Sequence, residues 1–225
     1  WWRPVVLTVG LTTMVVAGVR AFRRQDLKVL LAHGTVSQLG FLVAVFGIGT
    51  DEAISAGTVM LVAHGLFKAS AFFAVGIVDH QFGTRHVDEL PRLPLFRDRT
   101  ASGWLLSDRL AVAASASMAG IPLLLGFIAK EGAIRAVIHD APPALAAVAV
   151  GSALTAGYSY RFAWGILGRD ASRPVAVDPA RVPPSRVLVL PPLVLGALTV
   201  VGGVWPATLD QLTHSHLSLW HGFDT

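Results

Sequence analysis

An ionisable pair inside an uninterrupted apolar run constrains this chain more than any other feature. Residues 53–78 form a run of about 26 residues, with Ala63-His64-Gly65-Leu66-Phe67-Lys68-Ala69 near its middle. A helix that crosses a bilayer needs about 20 such residues. His64 and Lys68 are four apart, so a helix projects both from one face. A lysine at mid-membrane costs about 2.5 to 3.5 kcal/mol even on the lenient insertion scale, and such a residue faces a polar cavity or an ion path. Snorkelling does not offer Lys68 an escape, because about ten residues, some 15 Å of helix, separate it from the nearer end.

Composition agrees. Of 225 residues 53% are hydrophobic and 14% charged, and the mean hydropathy is +0.61. Soluble domains carry about 25% charged residues, so the chain belongs in a lipid bilayer. Cysteine is absent, which excludes disulfides, iron–sulfur ligation and thiolate zinc sites. The net charge is +4 and the isoelectric point about 10.1, yet the basic residues lie in loops between apolar runs. Membrane topology therefore accounts for them, and nucleic acid is not an expected partner. The sequence opens on Trp1-Trp2-Arg3 with no signal or transit pattern, and reads as a piece of a longer membrane protein.

Six apolar segments are expected as spans, at about 4–22, 27–49, 53–78, 108–138, 144–167 and 187–205. Alternating the sides puts 14 of the 18 basic residues on one side: Arg20 to Lys28, Arg85 to Arg109, and Arg161 to Arg186. Only Arg3 and Arg135 fall toward the other, and Lys68 and Lys130 are intramembrane. The positive-inside rule makes the rich side cytoplasmic. The proline-rich, charged stretch 169–186 is then a cytoplasmic loop.

The fourth segment, roughly 31 residues, is too long for one straight span. It holds Ser117-Met118-Ala119-Gly120-Ile121-Pro122, where proline removes a backbone donor and should break the helix. Broken helices at membrane depth occur where they line a cavity or are buried in protein. Lys130 follows eight residues after Pro122, roughly 12 Å along a helix, at a depth comparable to that of Lys68. Glu131 beside it is a ready partner. Asp79 and His80 close the third segment and fit either a mouth of the path or a solvated helix end. His33 is interfacial, Arg109 a snorkelling residue, and Lys28 a structural residue of a cytoplasmic loop. The tail histidines His214, His216 and His221 match no strong metal-ligand spacing, and no phosphate cradle, nucleophile elbow or zinc-protease motif is present.

Taken together, these motifs resemble a known superfamily. Asp26-Leu27-Lys28-Val29-Leu30-Leu31-Ala32-His33-Gly34-Thr35-Val36-Ser37-Gln38-Leu39-Gly40 resembles the D-[LI]-K-x-x-L-A-x-x-T-x-S-Q-x-G run of the proton-pumping antiporter-like membrane subunits. The stretch from His64 to Ala69 resembles their H-x-x-F-K-A, and Gly126 to Glu131 their G-F-x-x-K-[DE]. Such subunits occur in respiratory complex I, membrane-bound hydrogenases and Mrp-type sodium/proton antiporters. Val75 to Arg85 and Leu219 to Phe223 look more narrowly like the A-type subunit of the Mrp antiporters.

The resemblance implies an all-α integral membrane bundle in which residues 1–168 form the second of two inverted five-helix repeats. Its third span would be broken near His64-Gly65. His64 and Lys68 would relay protons and Lys130 would stand at the outward exit, with Lys28, Asp79, His80 and Glu131 as accessory candidates. The chain departs from its relatives at Met60, where complex I subunits often carry a second histidine, and at His86, where the family reads aspartate. The first repeat, with its own lysine and glutamate, is not in this sequence, so the chain alone holds half a proton path.

The implied function is that of a proton-translocating subunit in a secondary antiporter exchanging Na+ for H+ across a prokaryotic cell membrane, among other subunits of a hetero-oligomeric complex. It would be no enzyme and need no cofactor or metal. The alternative is a proton-pumping membrane subunit of a complex I-like oxidoreductase or a hydrogenase.

Overall fold

The computed structural model describes residues 2–90, 112–167 and 186–205, and they are helical throughout, apart from short connections. The elements are α1 (Trp2–Phe22), α2 (Leu27–Ile48), α3 (Asp51–Phe82), α4 (112–119), α5 (Leu125–Asp140), a 3-10 turn (Pro142–Ala144), α6 (Leu145–Leu167) and α7 (Arg186–Val204). By length and hydropathy α1, α2, α3 and α7 are able to cross a membrane. α6 has 23 residues but carries Tyr158, Ser159, Tyr160 and Arg161 in its second half. The fourth segment is divided between α4 and α5. The expected loop at 169–186, apart from Arg186, and the tail histidines lie outside the described residues, as does Arg109.

Local chemistry sets the helix ends. Asp26 caps α2 by accepting from the Val29 N–H, and Gly49, at φ 72°, ends it in the left-handed region. Thr50 caps α3 through the Ala53 N–H, and Gly83, at φ 68°, closes it. A short polar side chain before the helix and a glycine after it satisfy backbone groups that the helix leaves open.

Without a hydrophobic driving force inside lipid, helices associate through small residues and polar contacts. α1 and α2 meet that way. A Cβ on Gly10 would stand 2.7 Å from the Gly40 carbonyl oxygen, and one on Gly40 would stand 2.6 Å from the Met14 nitrogen. Ser37 Oγ adds a 2.7 Å bond to the Met14 carbonyl. α6 packs on α1 and α2; α3 packs on α2, α5 and α7.

The fourth segment breaks where glycine and proline require it. Gly120 N–H donates to Ser117 O at 3.1 Å and Ile121 N–H to Ala116 O at 3.0 Å, with Gly120 at φ 83°. That pair of bonds is the Schellman closure of α4. Leu123 follows at φ 73°, the only non-glycine residue with positive φ among the described residues. Backbone in this region costs of order 1–3 kcal/mol and persists only when its surroundings hold it.

The expected break in the third span is absent. α3 runs as one 32-residue helix through His64 and Gly65. Gly65 faces open space, with nothing within 4 Å of a Cβ position. A lone glycine costs a helix only about 1 kcal/mol against alanine and removes no hydrogen bond, so the ladder continues.

Candidate functional site

His64 and Lys68 lie on the buried face of α3, at 5% and 4% exposure, in a helix able to span a bilayer. Lys68 reaches across to α2, where its ammonium donates to the Leu31 carbonyl at 3.3 Å. The same Nζ sits 5.3 Å from the centroid of the Tyr158 ring on α6. Tyr158 in turn donates its hydroxyl to the Gly34 carbonyl at 3.4 Å. Three helices therefore form one seat for a single amine.

Gly34 makes that seat possible. A Cβ there would lie 2.8 Å from Lys68 Nζ and 3.0 Å from Tyr158 Cε2. A cation over an aromatic face, out of water, is attracted by the ring quadrupole. The ammonium thus has two partners that favour it without neutralising it. No carboxylate pairs with Lys68 among the described residues.

His64 stands one turn away, its ring edge-on to Phe67 at 5.6 Å between centroids. Its Nε2 is buried and has no hydrogen-bond partner among the described residues. A buried polar atom in this condition is uncommon in a stable structure and calls for an explanation in function or in bound water.

Lys130 follows the helix break. It is half-buried on α5, and its Cδ lies 3.4 Å from where a Cβ on Gly120 would be, so the side chain folds back along the turn that ends α4. Its sequence neighbour Glu131 bonds Arg135 at 3.2 Å, one turn along the same helix. Ser117 of α4 caps α5 across the break, its Oγ accepting from the Gly126 N–H at 3.2 Å.

The accessory candidates separate from this axis. Lys28 and His80 are exposed. Asp79 belongs to an ionic clasp at one end of the bundle, where Arg85 binds Asp26 at 2.8 Å and Asp79 at 3.3 Å. Partial burial alone would raise the Asp26 carboxyl, but the Arg85 hydrogen bond, the Val29 N–H and the Arg85 charge outweigh it and hold it below its usual value. Backbone bonds from Leu27 N–H to Arg85 O and Val87 N–H to Gln25 O, both 3.0 Å, tie the loop after α3 onto the start of α2. Arg161 joins the same end through Gln25 at 2.8 Å. His33, expected at the interface, is half-buried, with Nδ1 3.0 Å from the Val29 carbonyl.

The opposite end is held differently. Thr50 Oγ1 donates to Asp140 at 2.6 Å and His139 Nδ1 lies 2.8 Å from the same carboxylate. Donor atoms of Glu52, His139 and Asp140 fall within 4.8 Å of one another at the surface. His139 is raised above its ordinary value by its hydrogen bond to Asp140, then by the charges of Asp140 and Glu52. A raised histidine contributes stability below its unfolded value of about 6.5, and loses it as pH climbs through the folded value. Thermal unfolding in detergent should therefore show a larger deficit for His139→Ala near pH 5 than near pH 8. Equal deficits at both would mean that the charge of His139 contributes nothing to this contact.

The sequence singled out His64, Lys68 and Lys130, and the structure puts the first two on the buried face of α3 and the third against the break. It adds Gly34, Leu31 and Tyr158. Gly34 sits inside the quoted α2 motif, and a tyrosine amid the small residues of α6 was the available sign of the other wall.

The fold and this site define a helical membrane protein that keeps ionisable groups in the interior of its bundle. The chain belongs to the NADH:quinone oxidoreductase/Mrp antiporter transmembrane family, whose model matches residues 1–155. It is 35% identical over 243 residues to a probable K(+)/H(+) antiporter A/B subunit of Rhizobium meliloti (strain 1021), covering 99% of this chain and 23% of that protein. Against a Na(+)/H(+) antiporter A1 subunit of Staphylococcus haemolyticus (strain JCSC1435) the identity is 33%, covering 93% of this chain and 28% of the relative. A chain in the solved structure of the Mrp complex from Dietzia sp. DQ12-45-1b superposes with a TM-score of 0.79 at 36% identity, covering 99% of this chain and 25% of that one. The chain thus spans about a quarter of the length of these relatives.

Proposed function

We propose that this chain is part of the proton-translocating subunit of a cation/proton antiporter, working within a multi-subunit complex of the cell membrane. The observation that carries the reading is the Lys68 amine, buried against Leu31 and Tyr158 on the same helix face as a histidine with an unpartnered nitrogen. Protons pass by way of His64 and Lys68, and Lys130 serves the exit beside the broken helix. Residues 1–168 act as one half-channel, the second of an inverted pair, with the Asp26–Arg85 end cytoplasmic. The chain carries no chemistry of its own and needs no cofactor.

Support for antiport over redox-driven pumping comes from the relatives, which are named as antiporter subunits. Their names divide between potassium and sodium, and this supports an alkali cation, sodium in the first reading or potassium, as the exchanged ion. The Asp79–Arg85 pair and the exposed positions of Lys28 and His80 fit structural or surface roles better than relay roles.

The test uses everted vesicles carrying the complete complex, with a proton gradient set by respiration. Adding Na+ or K+ should collapse the gradient in a dose-dependent way. A gradient that ignores both cations, yet is built when electrons pass from NADH to quinone in the purified complex, would replace antiport with redox-driven pumping.

A further inference from the structure

We infer that α7, which lies outside the residues matched by the family model, positions Lys130, and that Gly203 is the residue through which it does so. This rests on the antiport reading above. α7 packs on both α3 and α5. Near its start it carries Pro191-Pro192, and the Pro192 carbonyl accepts from Ser70 Oγ at 3.4 Å, two residues beyond Lys68. Near its end it lies against the break between α4 and α5.

The contact at that end is backbone on backbone. A Cβ on Gly203 would stand 2.4 Å from the Leu123 carbonyl oxygen and 2.6 Å from both C and Cα of Leu124. Those are the residues of the strained turn, with Leu123 at φ 73°. The adjacent Gly202 is different. Its Cβ would meet only the Leu125 side chain, at 3.2 Å, and the methyl ends of a leucine can swing aside.

A left-handed leucine persists only where the surroundings over-determine it. The backbone of Gly203 supplies such a restraint from one side, and the Schellman closure at Gly120 supplies another. Lys130 folds against Gly120, so the turn that Gly203 holds is also the floor under the Lys130 side chain. Moving that turn moves the surroundings of the ammonium.

Substituting Gly203 changes no charge. The titratable groups on α5 itself are Glu131, Arg135, His139 and Asp140, besides Lys130. Of the neighbouring helices, α3 carries Asp51 and Glu52 at its start, His64 and Lys68 in its middle and Asp79 and His80 at its end, and α6 carries Tyr158, Tyr160 and Arg161; α2 beyond His33 and α7 over 187–204 carry none. A displaced pH profile in a Gly203 variant therefore reports a moved site and not an altered charge set.

The experiment measures cation-dependent exchange against pH in everted vesicles holding the complete complex, for the wild type, Gly202→Ala, Gly203→Ala, and Gly203→Ala with Leu123→Gly. Amounts of assembled complex are read from native gels. Gly203→Ala should shift the pH optimum by about one unit, the scale on which a changed environment moves a titrating group, while Gly202→Ala keeps the wild-type profile. An assembled Gly203→Ala complex with an unshifted profile overturns the proposal, as does an equal shift in Gly202→Ala.

If Gly203→Ala does not assemble, the double variant decides, because glycine at 123 lets the turn yield without strain. Assembly with a shifted profile supports the positioning role. Assembly with the wild-type profile, or no assembly, makes the contact purely structural. A wild-type complex without exchange overturns the antiport reading, and with it the role of Lys130 that this inference serves.

Discussion

Replacing Lys68 by alanine should lower cation-dependent proton exchange by roughly 10²-fold, the scale lost when a positioned proton-transfer group is removed, while the complex assembles in normal amounts. The two halves of that expectation have separate causes. Assembly survives because the ammonium is a burden on the fold. An intramembrane lysine costs about 2.5 to 3.5 kcal/mol to insert, and no carboxylate among the described residues offsets it. Its bonds are one 3.3 Å contact to a carbonyl and an aromatic face. Exchange falls because no other amine or imidazole takes its place: Leu31 and Gly34 contribute only backbone carbonyls, the Tyr158 hydroxyl donates to the Gly34 carbonyl, and alanine leaves His64 without its neighbour. Everted vesicles with matched amounts of complex provide the measurement. Exchange at the wild-type rate would reduce Lys68 to a packing residue.

A subtler substitution should do nearly as much damage. Gly34→Ala adds one methyl group, and its position lies 2.8 Å from Lys68 Nζ and 3.0 Å from the Tyr158 ring. The ring cannot retreat easily, because Tyr158 is fully buried and bonded to the carbonyl of Gly34 itself. The lysine end can, so the amine gives way and leaves the Leu31 carbonyl. We expect exchange to fall about ten- to a hundredfold, in line with the cost of misplacing a reacting group by about 1 Å, with the complex still assembled. Gly34→Val should add a loss of assembled complex, since overpacking a filled core costs about 1–3 kcal/mol. Wild-type exchange in the alanine variant would mean that the amine works without this seat.

Much of this architecture is legible in the amino-acid sequence. The apolar runs at 4–22, 27–49 and 53–78 mark α1, α2 and α3 to within about four residues at either end. The fourth segment announced its own break, because Gly120 and Pro122 act on the backbone locally. His64 and Lys68 were legible for the same reason: a spacing of four on a helix is a local fact. The expected break at His64-Gly65 came from the resemblance alone, and no local signal supports it: an isolated glycine removes no hydrogen bond from the helical ladder, where a proline would. Gly34 and Tyr158 were hidden for a different reason. Neither has a meaning until α2, α3 and α6 are brought together, and no local pattern states that a missing methyl on one helix makes room for an amine from another. Leu123 was hidden likewise, since leucine is not the residue a left-handed turn would choose.

The crossing of α1 and α2 has a mechanical consequence. Where side chains separate two helices, a rotamer change lets them slide. Between Gly10 and Gly40 there is no side chain to turn aside, and the Ser37 bond to Met14 fixes the register beside it. This pair behaves as a stator, a single stiff body. Contacts made through side chains, such as that of Gly202 with Leu125, are the ones that can yield. Any rearrangement of this bundle would therefore carry α1 and α2 together as one frame.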